Sequence, residues 1–284
     1  MYIFKKVEDL QQYLDTLRQK GVKVGFIPTM GALHSGHISL IEASKKSSDI
    51  TVCCIFVNPT QFDNEEDLKK YARNLPKDAQ MLGDAGTDIL FAPSVDEVYP
   101  PGLETAVQLD FGGLTQVMEG RYRTGHFEGM VQVVNRLLEI VQPNCIYMGQ
   151  KDFQQAAIVS NMLMQQGNKI QIEVCPIIRE ENGLAMSSRN VRLNAEDKET
   201  ASAIFKALSE VKNQINTTPV ETAKKGVLEK LTAVGFKPEY FDIVDGDSLI
   251  SIEKWSDSKY IVACVAAFMK DVRLIDNMIL RNEK

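Results

Sequence analysis

Two histidines stand three residues apart in a stretch from Pro28 to Leu40 whose residue types suit the binding of a polyphosphate. A run with strand character precedes this stretch and a segment with helical periodicity follows it, which predicts a strand-to-helix turn. The first turn of a helix offers unpaired backbone N–H groups and the positive end of the helix dipole. Gly31 and Gly36 would let the backbone approach a phosphate closely. His34 and His37 would project beside that phosphate from one side of the turn.

The two histidines have alternative interpretations that stay open at this point. The stretch matches neither the P-loop nor the dinucleotide-binding pattern. His34 and His37 could be surface or capping residues of the predicted helix. They could also share a zinc ion, although no Cys-x-x-Cys pair or third ligand stands near them in sequence.

A polar pair follows the next predicted strand. Ile50 to Val57 is continuously apolar, as expected of a parallel strand that is covered on both faces. Pro59 cannot continue a central strand, so Asn58 and Gln61 are presented where the strand meets its loop. Ligands of open α/β sheets bind at that edge, which makes both amides candidate ligands.

A second strand-to-helix junction follows the predicted strand Cys145 to Met148 and contains Gly149, Gln150, Lys151 and Asp152. In a nucleotide site the lysine would meet phosphate and the carboxylate would accept from ribose hydroxyls. The alternative is a surface ion pair of little energetic weight.

Two further loops carry cationic groups. Arg123 supplies the fixed positive charge that an anionic substrate needs, and His126 stands beside it at a predicted helix start, where it could instead be a cap. In the second loop, Ser187, Ser188 and Arg189 place two hydroxyls and a guanidinium in sequence. This donor set suits a triphosphate or pyrophosphate, although serines near a turn are commonly turn formers only.

Composition limits the class of protein. With 284 residues, 44% hydrophobic and 25% charged, the chain can build one large or two modest cores. Its net charge of −6 argues against a nucleic-acid binder that relies on broad electrostatic attraction. No signal-like N-terminus or bilayer-length apolar run is present, so we expect a cytoplasmic protein without a membrane partner. The cysteines stand in apolar runs and are expected to be buried thiols: Cys53, Cys54, Cys145, Cys175 and Cys264.

The order of predicted elements indicates an α/β protein with a Rossmann-like parallel sheet flanked by helices over residues 1–178. A short strand is also predicted at Thr105–Leu109. Residues 179–284 are predicted to form a smaller α+β domain, because helices there precede a group of strands. Asn194 is predicted to cap the first of these helices, with Asp197 three residues on. The predicted C-terminal elements are helices near 195–215 and 219–234 and strands at Tyr240–Val244, Tyr260–Phe268 and Val272–Leu280.

Taken in order, four motifs resemble those of the pantoate–β-alanine ligase (pantothenate synthetase) family, in the nucleotidyltransferase superfamily with His-x-Gly-His motifs. The resemblance runs from the first predicted strand of the sheet to Arg273–Asn277. The chain departs from the expected pattern at Thr124, Gln132 and Gln150. The motifs are Pro28–His37, Phe56–Phe62, Gly149–Asp152 with Gln155, and Met186–Asn190.

The resemblance implies an AMP-forming carbon–nitrogen ligase. Pantoate would react with ATP to give a pantoyl adenylate and pyrophosphate, and the amine of β-alanine would then displace AMP to give pantothenate. A carboxylate is ionised at neutral pH, so the first step needs alignment and charge neutralisation rather than a general base. Closure of the second domain over a reactive adenylate would exclude water.

The resemblance also implies a set of site residues. His37, His34 and Lys151 would be catalytic, and Mg²⁺ would accompany ATP, with Asp78 as its protein contact through water. The family is usually dimeric, so a homodimer is expected. The implied ATP-binding residues are Met30, Gly31, His34, His37, Gly149, Gln150, Lys151, Asp152, Ile178, Met186, Ser187, Ser188 and Arg189, and the implied substrate-binding residues are Gln61, Gln155, Asn58, Arg123 and His126.

Two alternatives remain open on the sequence. A nucleotidyltransferase of the same superfamily would share the histidine turn and stop at a nucleotide-linked product. A non-catalytic nucleotide-binding protein would bind ATP without releasing pyrophosphate in response to pantoate. Gln61, Gln155 and the Met186–Asn190 loop favour the ligase over the first alternative.

Overall fold

The structure, a computed structural model, describes residues 1–62 and 65–283. Within these residues the chain forms a six-stranded parallel sheet in the order β1-β4-β3-β2-β5-β6 and a three-stranded antiparallel sheet in the order β7-β8-β9. The strands are β1 (Tyr2–Phe4), β2 (Val24–Thr29), β3 (Ile50–Ile55), β4 (Ile89–Phe91), β5 (Cys145–Gly149), β6 (Gln171–Cys175), β7 (Phe236–Asp245), β8 (Tyr260–Met269) and β9 (Val272–Asn282).

Helices alternate with the strands of the parallel sheet and precede those of the antiparallel one. The Rossmann-like α/β sheet and the smaller α+β region are therefore confirmed. The helices are α1 (Val7–Arg18), α2 (Ser35–Ser47), α3 (Glu65–Lys70), α4 (Leu75–Asp84), α5 (Val95–Val98), α6 (Glu119–Tyr122), α7 (His126–Val141), α8 (Phe153–Gln165), α9 (Ala195–Ala201), α10 (Ala203–Asn213) and α11 (Val220–Ala233). Short 3-10 turns occupy Pro59–Gln61, Gly112–Thr115, Gln150–Asp152 and Ser188–Arg192.

Internal contacts divide the chain into two compact units, which we call the sheet unit and the C-terminal unit. The sheet unit comprises Met1–Phe111, Arg123–Gly149 and Ile158–Pro176. The C-terminal unit comprises Gly112–Tyr122, Gln150–Ala157 and Ile177–Lys284. The second unit thus takes two short segments from the middle of the chain in addition to its C-terminal part.

The core of the sheet unit forms on the central strands. β3 is buried along nearly its whole length, as its continuous apolar run predicts for a parallel strand with both faces covered. α7 turns an almost uninterrupted apolar face inward, from Phe127 to Val141. At the edge of the sheet, β6 is largely exposed.

The core of the C-terminal unit lies between its helices and one face of the antiparallel sheet. Leu208 of α10 and Leu231 of α11 are buried there together with Leu274 and Leu280 of β9. The predicted cap is confirmed, because the Asn194 side chain accepts from the Asp197 N–H at 2.8 Å.

The five cysteines are all buried free thiols, as predicted. Burial raises the pKa of Cys53 to about 12 and that of Cys175 to about 11, so that both stay protonated at neutral pH. None of the helices formed by the described residues combines the length and apolar character needed to cross a membrane.

One predicted strand is wrong. Thr105–Leu109 forms no ladder with any described strand, although its residues alternate as a half-buried strand would. Alternation makes a segment compatible with a sheet, but a strand exists only where a partner backbone supplies the hydrogen bonds. In this segment the Thr105 hydroxyl instead accepts from the Gln132 side chain at 2.7 Å.

Candidate active site

The histidine turn lies where the direction of the parallel sheet changes. From β2 the chain moves outward to β3 and β4, and it then returns to place β5 on the other side of β2. Open α/β sheets bind ligands outside the carboxyl ends of the strands at such a switch point. β2 pairs with β5 at Gly25 and Phe26. Pro28 has no N–H to donate, and it lies beyond the residues of β2 that pair with β5.

The turn between β2 and α2 adopts backbone conformations that few residues tolerate. Gly31 has φ 80° and the following Ala32 has φ 51°. Gly31 suits this region because it carries no Cβ, whereas Ala32 is strained there. A Cβ on Gly31 would also come within 3.0 Å of the Asp78 carboxylate. Backbone strain persists only where the surroundings hold it, and it concentrates at functional sites.

Asp78, in the first turn of α4, is the residue that holds this backbone. Its Oδ2 accepts from the Ala32 N–H and its Oδ1 accepts from the Leu33 N–H, each at 2.9 Å. The Thr29 hydroxyl accepts from the Gly31 N–H at 3.2 Å and donates to the Cys54 carbonyl at 2.7 Å. Among the described residues, the Met30 N–H makes no hydrogen bond, so it is the N–H of this turn that remains for a ligand.

His34 and His37 form the start of α2 together. The N–H of Gly36 donates to His34 Nδ1 at 3.1 Å, and the N–H of His34 donates to His37 Nδ1 at 3.3 Å. The capping interpretation is therefore confirmed for His34. Because each Nδ1 accepts a hydrogen bond, the ring proton of each neutral imidazole resides on Nε2. The two rings lie 4.1 Å apart between centroids, so the two imidazoles are neighbours at the start of α2.

Asn58 orients Gln61 after β3. Both side chains are buried, and Asn58 Nδ2 donates to Gln61 Oε1 at 3.1 Å and to the Gly129 carbonyl at 3.1 Å. Asn58 Oδ1 accepts from the Tyr99 hydroxyl at 3.0 Å. The amide nitrogen of Gln61 makes no hydrogen bond with the described residues, which leaves two N–H donors for an oxygen-rich ligand.

His126 and Arg123 support the same glutamine from its backbone side. His126 is buried, and its Nδ1 lies 2.9 Å from the Gln61 carbonyl while its Nε2 lies 3.0 Å from Arg123 Nη1. A carbonyl can only accept and a guanidinium can only donate, so the imidazole is neutral with its proton on Nδ1. His126 begins α7 behind the capping residue Gly125, and its own side chain makes no cap.

Lys151 stands in the 3-10 turn Gln150–Asp152, in the C-terminal unit. Its Nζ lies 4.0 Å from Asp152 Oδ1, and the Asp152 side chain is 51% exposed. An ion pair this long and this exposed contributes little to stability, so both groups can exchange the contact for a ligand. Gln155 follows on α8 and is half-buried.

The fourth motif also lies in the C-terminal unit. The N–H of Met186 donates to the Ile178 carbonyl at 3.0 Å, which closes the loop between them. Ser187 caps the following 3-10 turn, because its hydroxyl accepts from the Arg189 N–H at 3.2 Å. Ser187, Ser188 and Arg189 are each half-buried.

The described residues do not fit a protein-held metal site. Within residues 1–62 and 65–283 no group of three or more His, Cys, Asp or Glu side chains could hold a metal ion. The zinc interpretation of His34 and His37 therefore lacks a third ligand in this part of the chain. Asp78 uses both carboxylate oxygens to accept backbone N–H groups, so its geometry favours a structural role in the turn.

The structure thus brings together two groups of predicted residues in the sheet unit. One group consists of Met30, Gly31, His34, His37 and Asp78 at the turn, and the other consists of Asn58, Gln61, Arg123 and His126. Gly149 ends β5 in the same unit, and a Cβ at this position would meet nothing within 4 Å. The remaining predicted residues belong to the C-terminal unit: Gln150, Lys151, Asp152, Gln155, Ile178, Met186, Ser187, Ser188 and Arg189.

Sequence reasoning missed the supporting residues. It did not predict that Asp78 would hold the histidine turn, that Thr29 would accept from Gly31, or that Tyr99 would bond Asn58. The partners of Asp78 stand 45 and 46 residues away, and no local spacing signals such a contact.

Comparisons with known proteins agree with this geometry. The family model described as pantoate-beta-alanine ligase matches residues 2–279. A pantothenate synthetase of Bacteroides fragilis is 45% identical over 279 residues, covering 98% of each chain. One of Cytophaga hutchinsonii is 42% identical over 285 residues, covering 99% of each chain.

Solved structures show the same similarity. A pantothenate synthetase from Thermus thermophilus superposes with a TM-score of 0.92 at 38% identity, covering 99% of this chain and all (100%) of the other. A pantoate-beta-alanine ligase from Francisella tularensis, complexed with beta-gamma ATP and beta-alanine, gives a TM-score of 0.81 at 34% identity, covering 99% of this chain and 98% of the other. The chain belongs to the pantoate-beta-alanine ligase family.

Proposed function

We propose that this protein ligates (R)-pantoate and β-alanine to pantothenate in an ATP-dependent reaction that passes through a pantoyl adenylate. The observation that carries the proposal is the histidine turn, where two imidazole Nε2–H donors and the Met30 N–H are held at the carboxyl end of β2. Family membership and the complex of the Francisella tularensis relative with beta-gamma ATP and beta-alanine support the same reaction.

In the first step a pantoate carboxylate oxygen bonds to the α-phosphorus of ATP, and the bond from that phosphorus to the bridging oxygen of pyrophosphate breaks. The carboxylate is already ionised at neutral pH, so no proton has to be removed. The difficulty is the approach of two anions and the charge that develops on the leaving group. His37 and His34 stabilise the charge on the leaving group by donating from Nε2 to phosphate oxygens, and Lys151 adds a positive charge.

Gln61 suits the nucleophile. Its amide N–H groups, which bind no other described residue, can hold the oxygens of pantoate, and a neutral donor leaves the carboxylate more nucleophilic than a cation would. Asn58 holds the side chain of Gln61, and His126 holds its backbone carbonyl. Less entropy is therefore lost when Gln61 aligns pantoate. Gln155 is assigned to pantoate as the second amide, and Arg123 is assigned to the negative charge of the substrates.

In the second step the amine of β-alanine attacks the acyl carbon of the adenylate. The carbon–nitrogen bond forms, the bond from that carbon to the AMP oxygen breaks, and the ammonium proton is lost to solvent. Water competes for the same carbon, so we propose that residues 179–284 act as a lid domain and that residues 1–178 bind nucleotide and pantoate.

The remaining assignments complete the nucleotide site. Asp152 is assigned to ribose hydroxyls, and the donors Ser187, Ser188 and Arg189 are assigned to the triphosphate. Mg²⁺ is proposed as the counterion that ATP brings, with no step assigned to it. We further propose a cytoplasmic homodimer. The other proposed ATP contacts are Met30, Gly31, Gly149, Gln150, Ile178 and Met186.

A coupled assay tests the function. ATP and pantoate alone should release pyrophosphate up to about one equivalent of enzyme sites, and AMP and the amide should appear only after β-alanine is added. Continuous pyrophosphate release that ignores β-alanine and leaves a nucleotide-linked product would identify a nucleotidyltransferase. ATP binding by calorimetry with no pantoate-dependent pyrophosphate release would identify a nucleotide-binding protein.

A further inference from the structure

Asn277 of β9 holds the backbone of the turn that carries Lys151. Its Nδ2 donates to the Gln150 carbonyl at 2.8 Å and to the Lys151 carbonyl at 3.0 Å. Its Oδ1 accepts from Gln150 Nε2 at 3.0 Å. All three residues lie in the C-terminal unit, and Asn277 is only 2% exposed.

The orientation of the Asn277 amide is set by its neighbours. Because Gln150 Nε2 is a donor, the atom of Asn277 that faces it must be the oxygen, and the nitrogen then faces the two carbonyls. The amide uses both N–H donors and one acceptor site, as buried polar groups commonly do. An aspartate of the same shape would keep the acceptor for Gln150 and lose both donors.

Asn277 is itself held rigidly. It pairs with Cys264 in the β8–β9 ladder, and its N–H donates to Asp276 Oδ1 at 2.8 Å. Asp276 in turn accepts two hydrogen bonds from the Arg179 guanidinium, at 2.6 and 3.0 Å. Asn277 therefore contacts the Gln150–Asp152 turn from a strand position that is itself held by the β8–β9 ladder and by Asp276.

We propose that Asn277 is a positioning residue for Lys151, acting through the Gln150 and Lys151 carbonyls to aim the lysine ammonium at the phosphates of ATP. This inference rests on the proposed ligase function. A lysine stem has many rotamers, and fixing its backbone origin reduces the set of positions that its ammonium samples. Alignment of this kind affects the rate of the adenylation step more than the affinity for pantoate.

The test compares Asn277→Asp with the wild type in single-turnover pyrophosphate release. Loss of the two donors should lower the adenylation rate by roughly tenfold to a hundredfold and leave the KM for pantoate within about twofold. Asn277→Ala provides the same comparison should the new carboxylate beside Asp276 prevent folding. Leu280→Ala, a core truncation on the same strand, is the matched control, since it should lower the melting temperature and leave the rate per folded molecule unchanged.

A double-mutant cycle separates positioning from general damage. In a Lys151→Ala background, Asn277→Asp should reduce the remaining rate by less than about twofold, because the group it positions is already absent. An equal loss in both backgrounds, or a wild-type rate for folded Asn277→Asp, would overturn the inference. If the wild type itself released no pyrophosphate with pantoate, the proposed function would fail first, which keeps the two failures distinguishable.

Discussion

The histidine turn and the Gln150–Asp152 turn are held by opposite chemistry. The first presents backbone N–H groups, and the acceptors that satisfy them are the Asp78 carboxylate and the Thr29 hydroxyl. The second presents backbone carbonyls, and the donor that satisfies them is the Asn277 amide. Both turns lead into a helix, but the second also directs two backbone carbonyls towards Asn277 of β9, and such carbonyls need a donor.

The two turns also differ in where their support stands along the chain. His34 and His37 bond within their own turn, and Asp78 stands 45 and 46 residues further on. Asn277 stands 126 and 127 residues from the turn it holds. The first turn is therefore stabilised partly by residues of its own motif, whereas the backbone carbonyls of the second depend on a distant strand. Substitutions at the histidine turn and at its supports test this contrast.

Removing an imidazole should have the largest effect. His37→Ala is expected to lower pantoate-dependent pyrophosphate release by about a hundredfold to a thousandfold, because it deletes a donor aimed at developing charge. Stopped-flow detection of pyrophosphate measures the rate. Ser39→Ala is the control, since among the described residues that hydroxyl donates to the Gly36 carbonyl within α2. A near-normal rate in folded His37→Ala would refute the assigned role.

Asp78→Asn tests whether this carboxylate shapes the turn or binds magnesium. An amide can accept only one of the two N–H bonds, so the free energy of unfolding should fall by about 1.5–3 kcal/mol, and activity should fall with it. The Mg²⁺ concentration for half-maximal rate should stay unchanged. Asp84→Asn, on the exposed side of α4, should change neither quantity. An increase in the Mg²⁺ requirement without loss of stability would support the metal assignment instead.

Gly129→Ala should separate α7 from the turn that carries Gln61. A Cβ there would clash with the Thr60 carbonyl oxygen, so we expect a loss of about 1–3 kcal/mol in stability and a higher KM for pantoate. Gly226→Ala in α11 is the matched control, because a Cβ there meets nothing within 4 Å. That variant should be neutral or up to about 1 kcal/mol more stable. Equal behaviour of the two variants would contradict the packing argument.

Asp245, at the end of β7, accepts backbone N–H groups as Asp78 does. Burial alone would raise the pKa of Asp245, but hydrogen bonds from Ser258, Ser248 and Asp247 outweigh it and lower the pKa to about 2. The unfolded-state pKa is about 3.9. The carboxylate therefore stabilises the fold above about pH 4, and this contribution is lost as the pH falls towards 2.

Asp245→Asn should consequently lower the free energy of unfolding by about 1 kcal/mol at neutral pH, allowing for partial exposure, with no change in turnover. Denaturant titrations between pH 7 and pH 2 should show the wild type and the variant converging below about pH 4. A difference that stays constant over this range would show that the carboxylate charge is not the cause.

Local patterns predicted the elements well where a local physical cause exists. β3 was predicted as a covered parallel strand because its side chains are apolar apart from Thr51, and Asn194 was predicted as a cap because its acceptor stands beside the N–H groups that need it. The strand prediction for Thr105–Leu109 was wrong because alternation does not indicate whether a partner strand is present.

Local sequence patterns were sufficient to predict the parallel sheet and the smaller α+β region, and the order of the histidine, glutamine, lysine and serine motifs indicated the family. The tautomers of His34, His37 and His126 became evident from the folded structure, as did the support of one turn by Asp78 and of the other by Asn277. A motif fixes which groups stand near one another along the chain. The atoms that satisfy their remaining donors and acceptors come from segments that meet them only when the chain has folded.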